Sequence, residues 1–285
     1  MKLEHTEELR TIVISSQEGT EFEIPPYPLD LLFKIGTMKR RDFVRNTALG
    51  SMALGLTPGL SAQELLQEQG YSLDELTGKA SLNLYGEGKV QLRKQAYEAF
   101  VRMKRAAYSA GFDIKMLSSY RSYEHQTRIW ERKYIRFTES DGLSPDKAID
   151  KIIEYSTIPG TSRHHWGTEI DIIDGYPKTS GDVLVAKKFE SGGPFEAFKK
   201  WLDENANSFG FYLVYTNDPD RRGFKYEPWH YSYAALSIPM LKQFRKKNLV
   251  RLLSTESFEG ADKFSPRFLK SYIHDNILDI NPSLL

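Results

Sequence analysis

The chain has 285 residues, 40% of them hydrophobic, which is enough to bury one good core with appendages. Its 39 Lys and Arg against 38 Asp and Glu leave a formal charge of +1, so no whole-molecule field draws it to nucleic acid or to an anionic membrane. There is no cysteine, which excludes thiol nucleophiles, disulfide frameworks and thiolate metal sites, and any metal must be held by His, Asp or Glu.

Residues 38–62 read MKRRDFVRNTALGSMALGLTPGLSA and resemble a twin-arginine export signal. Arg40 and Arg41 form the basic pair, Phe43 and Val44 supply the apolar positions after it, and Ala62 is a small residue suited to precede a cleavage. The stretch is too short and too rich in Gly and Ala for a stable membrane span. A surface helix is the alternative reading. Met38 opens the motif, so the expectation is a start at Met38, an unstructured upstream extension over 1–37, a signal over 38–62 and a linker over 63–88. Such a signal sends the protein to the periplasm or cell-wall space.

From residue 89 the pattern becomes orderly. Val90, Leu92, Ala96, Phe100, Met103 and Ala107 recur at helical spacing up to Gly111, a plausible cap. Residues 114–120 read as a strand and 123–136 as a helix carrying Gln126 and Trp130. Residues 146–155 give a further helix, with Ser144 as its N-cap and Pro145 just inside it. Residues 168–173, 211–215 and 229–233 are β-rich, and 196–208 is an amphipathic helix ending near Gly210. Strands interleaved with helices without a βαβ period predict an α+β domain over 89–237, followed by a helical tail over 238–285. The loops 180–194 and 217–224, rich in Gly, Pro and charge, are candidate groove walls or lids.

Three segments concentrate chemistry-bearing residues: SSYRSYEHQ from Ser118, SRHHWGTEIDI from Ser162, and EPWHY from Glu227. His164 and Asp171 are seven positions apart, roughly 23 Å on a continuous strand, and share an ion only if the chain bends. Gly167 supplies the bend, after which Glu169, Asp171 and Ile173 share one strand face and Thr168, Ile170 and Ile172 the other. An aspartate between two isoleucines requires a partner, either a metal or a cation such as Arg121 or Lys225. A metal hydrolase needs a ligand set with one open position and a nearby carboxylate to take a proton from water. His164, Asp171 and His230 fit the first need, Glu227 fits the second, and two histidines with a carboxylate suit one Zn²⁺ ion.

Together these segments resemble the zinc D-alanyl-D-alanine carboxypeptidases and dipeptidases of the VanY type, whose fold is shared with the hedgehog signalling domain. The serine two before the first histidine ligand is matched by Ser162 and His164, the glycine by Gly167, the aspartate ligand by Asp171, and the closing element by Glu227, Trp229 and His230. A Tyr-Arg-Ser element followed by a glutamine is matched by Tyr120, Arg121, Ser122 and Gln126. The resemblance implies a small antiparallel sheet with helices packed against it, and peptidoglycan stem peptides ending in D-Ala-D-Ala as substrate. It also implies that Arg121 grips the terminal carboxylate, where a guanidinium offers a bidentate fork, with Ser162, Gln126 and Tyr120 as supporting contacts. One departure stands out: the family commonly has a small residue two before the aspartate ligand, and this chain has Glu169. Glu169 either accepts a hydrogen bond from a ligand histidine or places a like charge beside the site. His165 reads as structural or exposed, and His125 has no assigned role.

The same resemblance leaves a D-Ala-D-Ala dipeptidase, a peptidoglycan endopeptidase and a non-catalytic, zinc-containing cell-wall peptide-binding module as alternatives. Glu227 and Arg121 favour an enzyme over the module. A serine-enzyme reading rests on Ser144 and Lys147 in an S-x-x-K pattern with Lys178, Thr179 and Ser180, but no S-D-N element lies between them. The motifs H-E-x-x-H and G-x-S-x-G are both absent.

Overall fold

The computed structural model describes residues 13–15, 21–23 and 70–285. Met1–Ser61 and Ala62–Leu285 form two compact units. In the first, β1 (Val13–Ser15) and β2 (Glu21–Glu23) pair antiparallel with Ile14 opposite Phe22, so the stretch 1–37, expected to be unstructured, contains one short ladder. The signal-like segment 38–62 lies outside the described residues.

The second unit is organised by one antiparallel sheet of β3 (Ile114–Ser118), β4 (Glu169–Asp174), β5 (Phe211–Leu213) and β6 (His230–Tyr233), in the order β3-β4-β6-β5. Ile170 lies opposite Tyr231 and Ile172 opposite Met116, so these side chains leave the sheet on one face. There they meet Ala96, Phe100 and Met103 of α2 (Lys94–Ser109) and Phe198 and Leu202 of α5 (Glu196–Asn205) in one core cluster. Each fully buried Ile, Phe or Leu of this cluster contributes about 1.5–3 kcal/mol. The helical spacing expected from residue 90 holds within α2, but the helix begins only at Lys94. Leu92 instead pairs with Tyr85 in an isolated bridge.

The opposite face carries Asp171 beside His230 and Glu169 beside Ser232. A second core closes over that side, built from α1 (Leu73–Thr77), α3 (Tyr123–Ile135), α4 (Pro145–Ile152) and the helices of the C-terminal quarter. Two boundaries expected from the sequence change here. Residues 70–88 are not a linker. Ser72 and Glu75 form a capping box on α1, Leu76 is fully buried, and its carbonyl accepts the Trp166 indole N–H at 3.0 Å. Residues 238–285 are helical as expected, yet they are part of the domain. α6 (Ala234–Phe244), α7 (Leu249–Ser254) and α8 (Pro266–Tyr272) contribute Met240, Phe244, Leu253, Leu269 and Tyr272 to the core that holds Trp130 and Trp166.

The last residues also reach back to the sheet side. Asn281 N–H donates to Val214 O at 2.9 Å, Arg221 donates to Asp279 O, and Arg222 N–H donates to the Asp279 carboxylate at 2.6 Å. Among the described residues no helix is long and apolar enough to cross a membrane.

Candidate metal centre and active site

Local chain geometry assembles the site from four pieces. A 3₁₀ turn, Arg163–Trp166, ends at Gly167 with φ +67°, a left-handed conformation that favours glycine, and β4 starts immediately after it. That is the bend the His164-to-Asp171 spacing requires. Asp171 then sits directly across the ladder from His230, and Ser118 of β3 lies on its other side. Adjacent positions in an antiparallel pair hold side chains at contact distance, so the register itself brings the aspartate to the second histidine.

Donor atoms of His164, Asp171 and His230 all lie within 4.8 Å of one another, and all three residues are buried. His164 Nδ1 is 2.6 Å from Ser119 O, an atom that only accepts, so this nitrogen carries the proton and Nε2 presents its lone pair. Burial, then Arg121 and His230, push the His164 pKa well below the ordinary histidine value, so the ring is neutral. Its Nε2 lone pair faces Asp171 Oδ2 at 3.4 Å, while Asp171 Oδ1 is buried without a hydrogen-bond partner. Two lone-pair donors face to face, with an orphaned carboxylate oxygen beside them, form a site that requires a cation. Burial raises the Asp171 pKa to about 6 despite the opposing pull of His230.

His230 is held at both nitrogens. Nδ1 lies 2.8 Å from Glu227 Oε2 and faces Asp171, and Nε2 lies 3.0 Å from Glu169 Oε2. Burial alone would lower its pKa, but Glu169 and Glu227, with Asp171, outweigh that cost and raise it to about 10. Glu169 is fully buried and deeply committed. Its Oε1 accepts from Ser232 Oγ at 2.6 Å and from Thr168 Oγ1 at 2.9 Å, and lies 3.4 Å from an Arg163 nitrogen. Burial opposes its ionisation, yet Arg163 and His230 hold its pKa below the usual glutamate value. Of the two readings of Glu169, the geometry is that of the hydrogen-bond acceptor.

These groups open into a cavity of about 480 Å³ that Arg121, Ser162, Glu227 and Trp229 also line. Leu184 and Val185 form part of its wall from the loop 180–194, and Phe224 does so from the loop 217–224. Tyr215 and Trp229 serve twice, since both are buried in core clusters and both line the cavity.

Two expected substrate contacts lie elsewhere. Gln126 is fully buried and does not line the cavity. Its Oε1 accepts from Arg121 Nη1 at 2.7 Å and its Nε2 donates to Thr157 O at 2.8 Å, so its amide is spent on holding Arg121. Tyr120 follows the end of β3, where Ser119 turns to Lys89 and Gln91, and its hydroxyl points to Ala80 O at 3.5 Å. It is not among the cavity residues either.

His165 is structural. Its Nε2 accepts from Gly160 N–H at 3.2 Å, so Nδ1 carries the proton and donates to Arg121 O at 2.6 Å. Burial lowers its pKa to about 4, in keeping with a neutral ring that props the arginine backbone. Ser144 and Lys147 are exposed at the start of α4, away from the cavity residues.

Comparison with known proteins places this site in a family. A family model described as VanY, D-alanyl-D-alanine carboxypeptidase, matches residues 89–236. The chain is 36% identical over 107 residues to an uncharacterized protein of Haemophilus influenzae, covering 37% of this chain and 82% of the relative. It is 31% identical over 151 residues to the putative carboxypeptidase YodJ of Bacillus subtilis, covering 52% of this chain and 49% of that protein. It is 28% identical over 153 residues to the bifunctional D-Ala-D-Ala dipeptidase and D-Ala-D-Ala carboxypeptidase VanXYC of Enterococcus gallinarum, covering 53% and 72%. The solved structure of VanYB in complex with D-alanine-D-alanine aligns with a TM-score of 0.46 at 23% identity, over 63% of this chain and 92% of that one. The family match spans all four strands of the sheet and every segment that supplies the metal cluster, and the chain belongs to the VanY family of D-alanyl-D-alanine carboxypeptidases.

Proposed function

We propose that this chain is a zinc-dependent D-alanyl-D-alanine carboxypeptidase that removes the terminal D-Ala from peptidoglycan stem peptides. The observation that carries this reading is the convergence of His164, Asp171 and His230, with an unpartnered Asp171 oxygen, in a cavity that also holds Glu227 and Arg121. His164 Nε2, Asp171 and His230 Nδ1 would hold one zinc ion. Two neutral imidazoles and a carboxylate are a donor set suited to zinc, and the far nitrogen of each ring is already engaged, by Ser119 O and by Glu169. Zinc bound there supplies Lewis-acid polarisation of the scissile carbonyl and lowers the pKa of the attacking water.

The remaining steps belong to the protein. Glu227 takes the proton from water at Oε2, the oxygen that faces His230 Nδ1, and returns it to the leaving amine nitrogen. Arg121 offers a fixed fork. Nη1 is held by Gln126 and Nη2 donates to Ser118 Oγ at 3.1 Å, which aims the free edges of the guanidinium at the substrate carboxylate and the charge developing on the carbonyl oxygen. Ser162 lines the same wall and supports substrate binding.

Release of D-alanine from a peptide ending in D-Ala-D-Ala tests this assignment. The zinc-loaded protein is expected to release it, chelator to abolish release, and Glu227→Ala to cut kcat by about 10²–10⁴ while retaining zinc. Parallel assays with free D-Ala-D-Ala and with a cross-linked peptide distinguish dipeptidase and endopeptidase action. Stoichiometric zinc without cleavage of any of these would make the chain a binding module instead.

Residues 38–62 form the export signal in this reading, delivering the enzyme to the space where peptidoglycan lies; the Arg40-Arg41 pair and the uncharged stretch after it support this. Changing both arginines to lysine should hold the precursor in the cytoplasm, and unchanged export of that variant would refute the assignment.

A further inference from the structure

Helix α3 presents a second polar group to the cavity. Gln126, Ile129 and Lys133 are three and four positions apart, so they share one face of the helix. That face runs along residues 156–157. Gln126 Nε2 donates to Thr157 O at 2.8 Å, and Lys133 Nζ donates to Ser156 Oγ at 2.5 Å. Lys133 lies seven residues beyond Gln126, about 10 Å along the axis at 1.5 Å per residue, and its long side chain leans back toward the start of the helix where Arg121 stands. Arg121, Ile129, Lys133 and Ser156 all line the cavity that holds the metal cluster.

Charge around the cavity is nearly all assigned. Among the cavity residues Arg163 is paired with Glu169, and the Asp182 carboxylate accepts the Leu184 N–H. Asp171 and Glu227 face the histidines. Lys133 makes no ion pair among the described residues, and its hydrogen bond is to a neutral hydroxyl. A partly buried ammonium without an ion-pair partner bears a desolvation cost that the nearby Glu227 charge offsets only in part. Burial, and then the nearby Arg121 guanidinium, hold its pKa below the usual lysine value. A carboxylate entering the cavity offsets both effects.

We propose that Lys133 is a carboxylate-binding residue of this cavity, a second anchor beside Arg121 that pairs with a carboxylate of the peptide substrate. The inference rests on the peptidase reading and adds a division of labour to it. Arg121 already gives one hydrogen to Gln126 and one to Ser118. If its remaining donors meet the charge developing on the carbonyl oxygen, the terminal carboxylate belongs to Lys133. If Arg121 holds the terminus, Lys133 meets a side-chain carboxylate upstream of the scissile amide. The chemistry required of the ligand is the same in both cases, and a peptide with one carboxylate amidated separates them.

Binding without turnover is measured by calorimetry on zinc-loaded Glu227→Ala protein, alone and combined with Lys133→Met or Lys133→Arg. Three peptides ending in D-Ala-D-Ala are compared: one with its terminal and side-chain carboxylates free, one amidated at the terminus, and one amidated at the side chain. Lys133→Met is expected to weaken the fully acidic peptide by about tenfold to a hundredfold, and Lys133→Arg much less. The loss should vanish for whichever peptide lacks the partner carboxylate, which identifies it. Equal loss across all three peptides, or no loss, overturns the proposal while leaving the peptidase reading intact. Failure of every peptide to bind the Glu227→Ala protein overturns both. One zinc per chain in the Lys133 variants shows that the centre itself has survived the substitution.

Discussion

His230 governs the protonation of the centre, because carboxylates stand at both of its nitrogens. With its pKa raised to about 10, the metal-free ring is a cation at neutral pH and must lose the Nδ1 proton before it can bind a metal. Zinc affinity should therefore rise with pH up to about 10, with one proton released per zinc from this residue. The stability of the metal-free protein moves the other way. The folded pKa lies above the unfolded one, so the contribution of His230 is fully present below about pH 6.5 and lost as the pH rises toward about 10. Glu169→Gln removes one of the three charges responsible. It should flatten both pH dependences and weaken zinc by about tenfold to a hundredfold, as measured by competition with a chelator. A variant with wild-type zinc affinity would show that Glu169 serves Arg163, Ser232 and Thr168 and not the metal centre.

The metal cluster was legible as residues because the needed side-chain types fall within two short motifs. The role of Glu169 was not legible, since it depends on which residue of β6 the strand pairs with: one register puts Ser232 and the His230 ring within reach, and a slip of one residue turns Glu169 to the other face. Gln126 was placed in the right neighbourhood and given the wrong partner, because helix spacing fixes its face but not the arginine between it and the cavity.

At the scale of elements, the outcome follows the strength of the local signal. The bend at Gly167 was readable because a left-handed residue is required between the 3₁₀ turn and β4, and glycine is there. Helix α1 was missed since five residues show almost no period, although Ser72 and Glu75 in an S-x-x-E pattern are a capping box and the available clue. The helix matters out of proportion to its length. Gly78, at φ +77°, caps it, and a Cβ there would fall 2.3 Å from His165 Nδ1, the atom that donates to Arg121 O. The stretch expected to be a linker thus packs against the histidine that props Arg121, an arginine of the cavity wall.

For the molecule as a whole, the expected division into catalytic domain and tail fails because hydrophobic pattern alone does not say what a helix packs against. α6, α7 and α8 bury side chains in the same core as Trp130 and Trp166, and the Trp166 ring stands edge-on to Phe244. Ending the chain at residue 237 would expose that core. The truncated protein should lose its cooperative thermal transition and bind an apolar dye, and a shortened chain that melts near the full-length temperature would show the helices to be accessory.

The contacts of residues 279–281 carry a consequence for the active site. Asp279 grips Arg221 and Arg222, Asn281 is hydrogen-bonded to Val214, and a Cβ on Gly223 would fall 1.7 Å from Asp275 O. Phe224, the next residue, forms part of the cavity wall. Residues 275–281 therefore act as a buttress behind that wall, and a change of sequence there should shift the shape of the cavity without altering any residue that lines it.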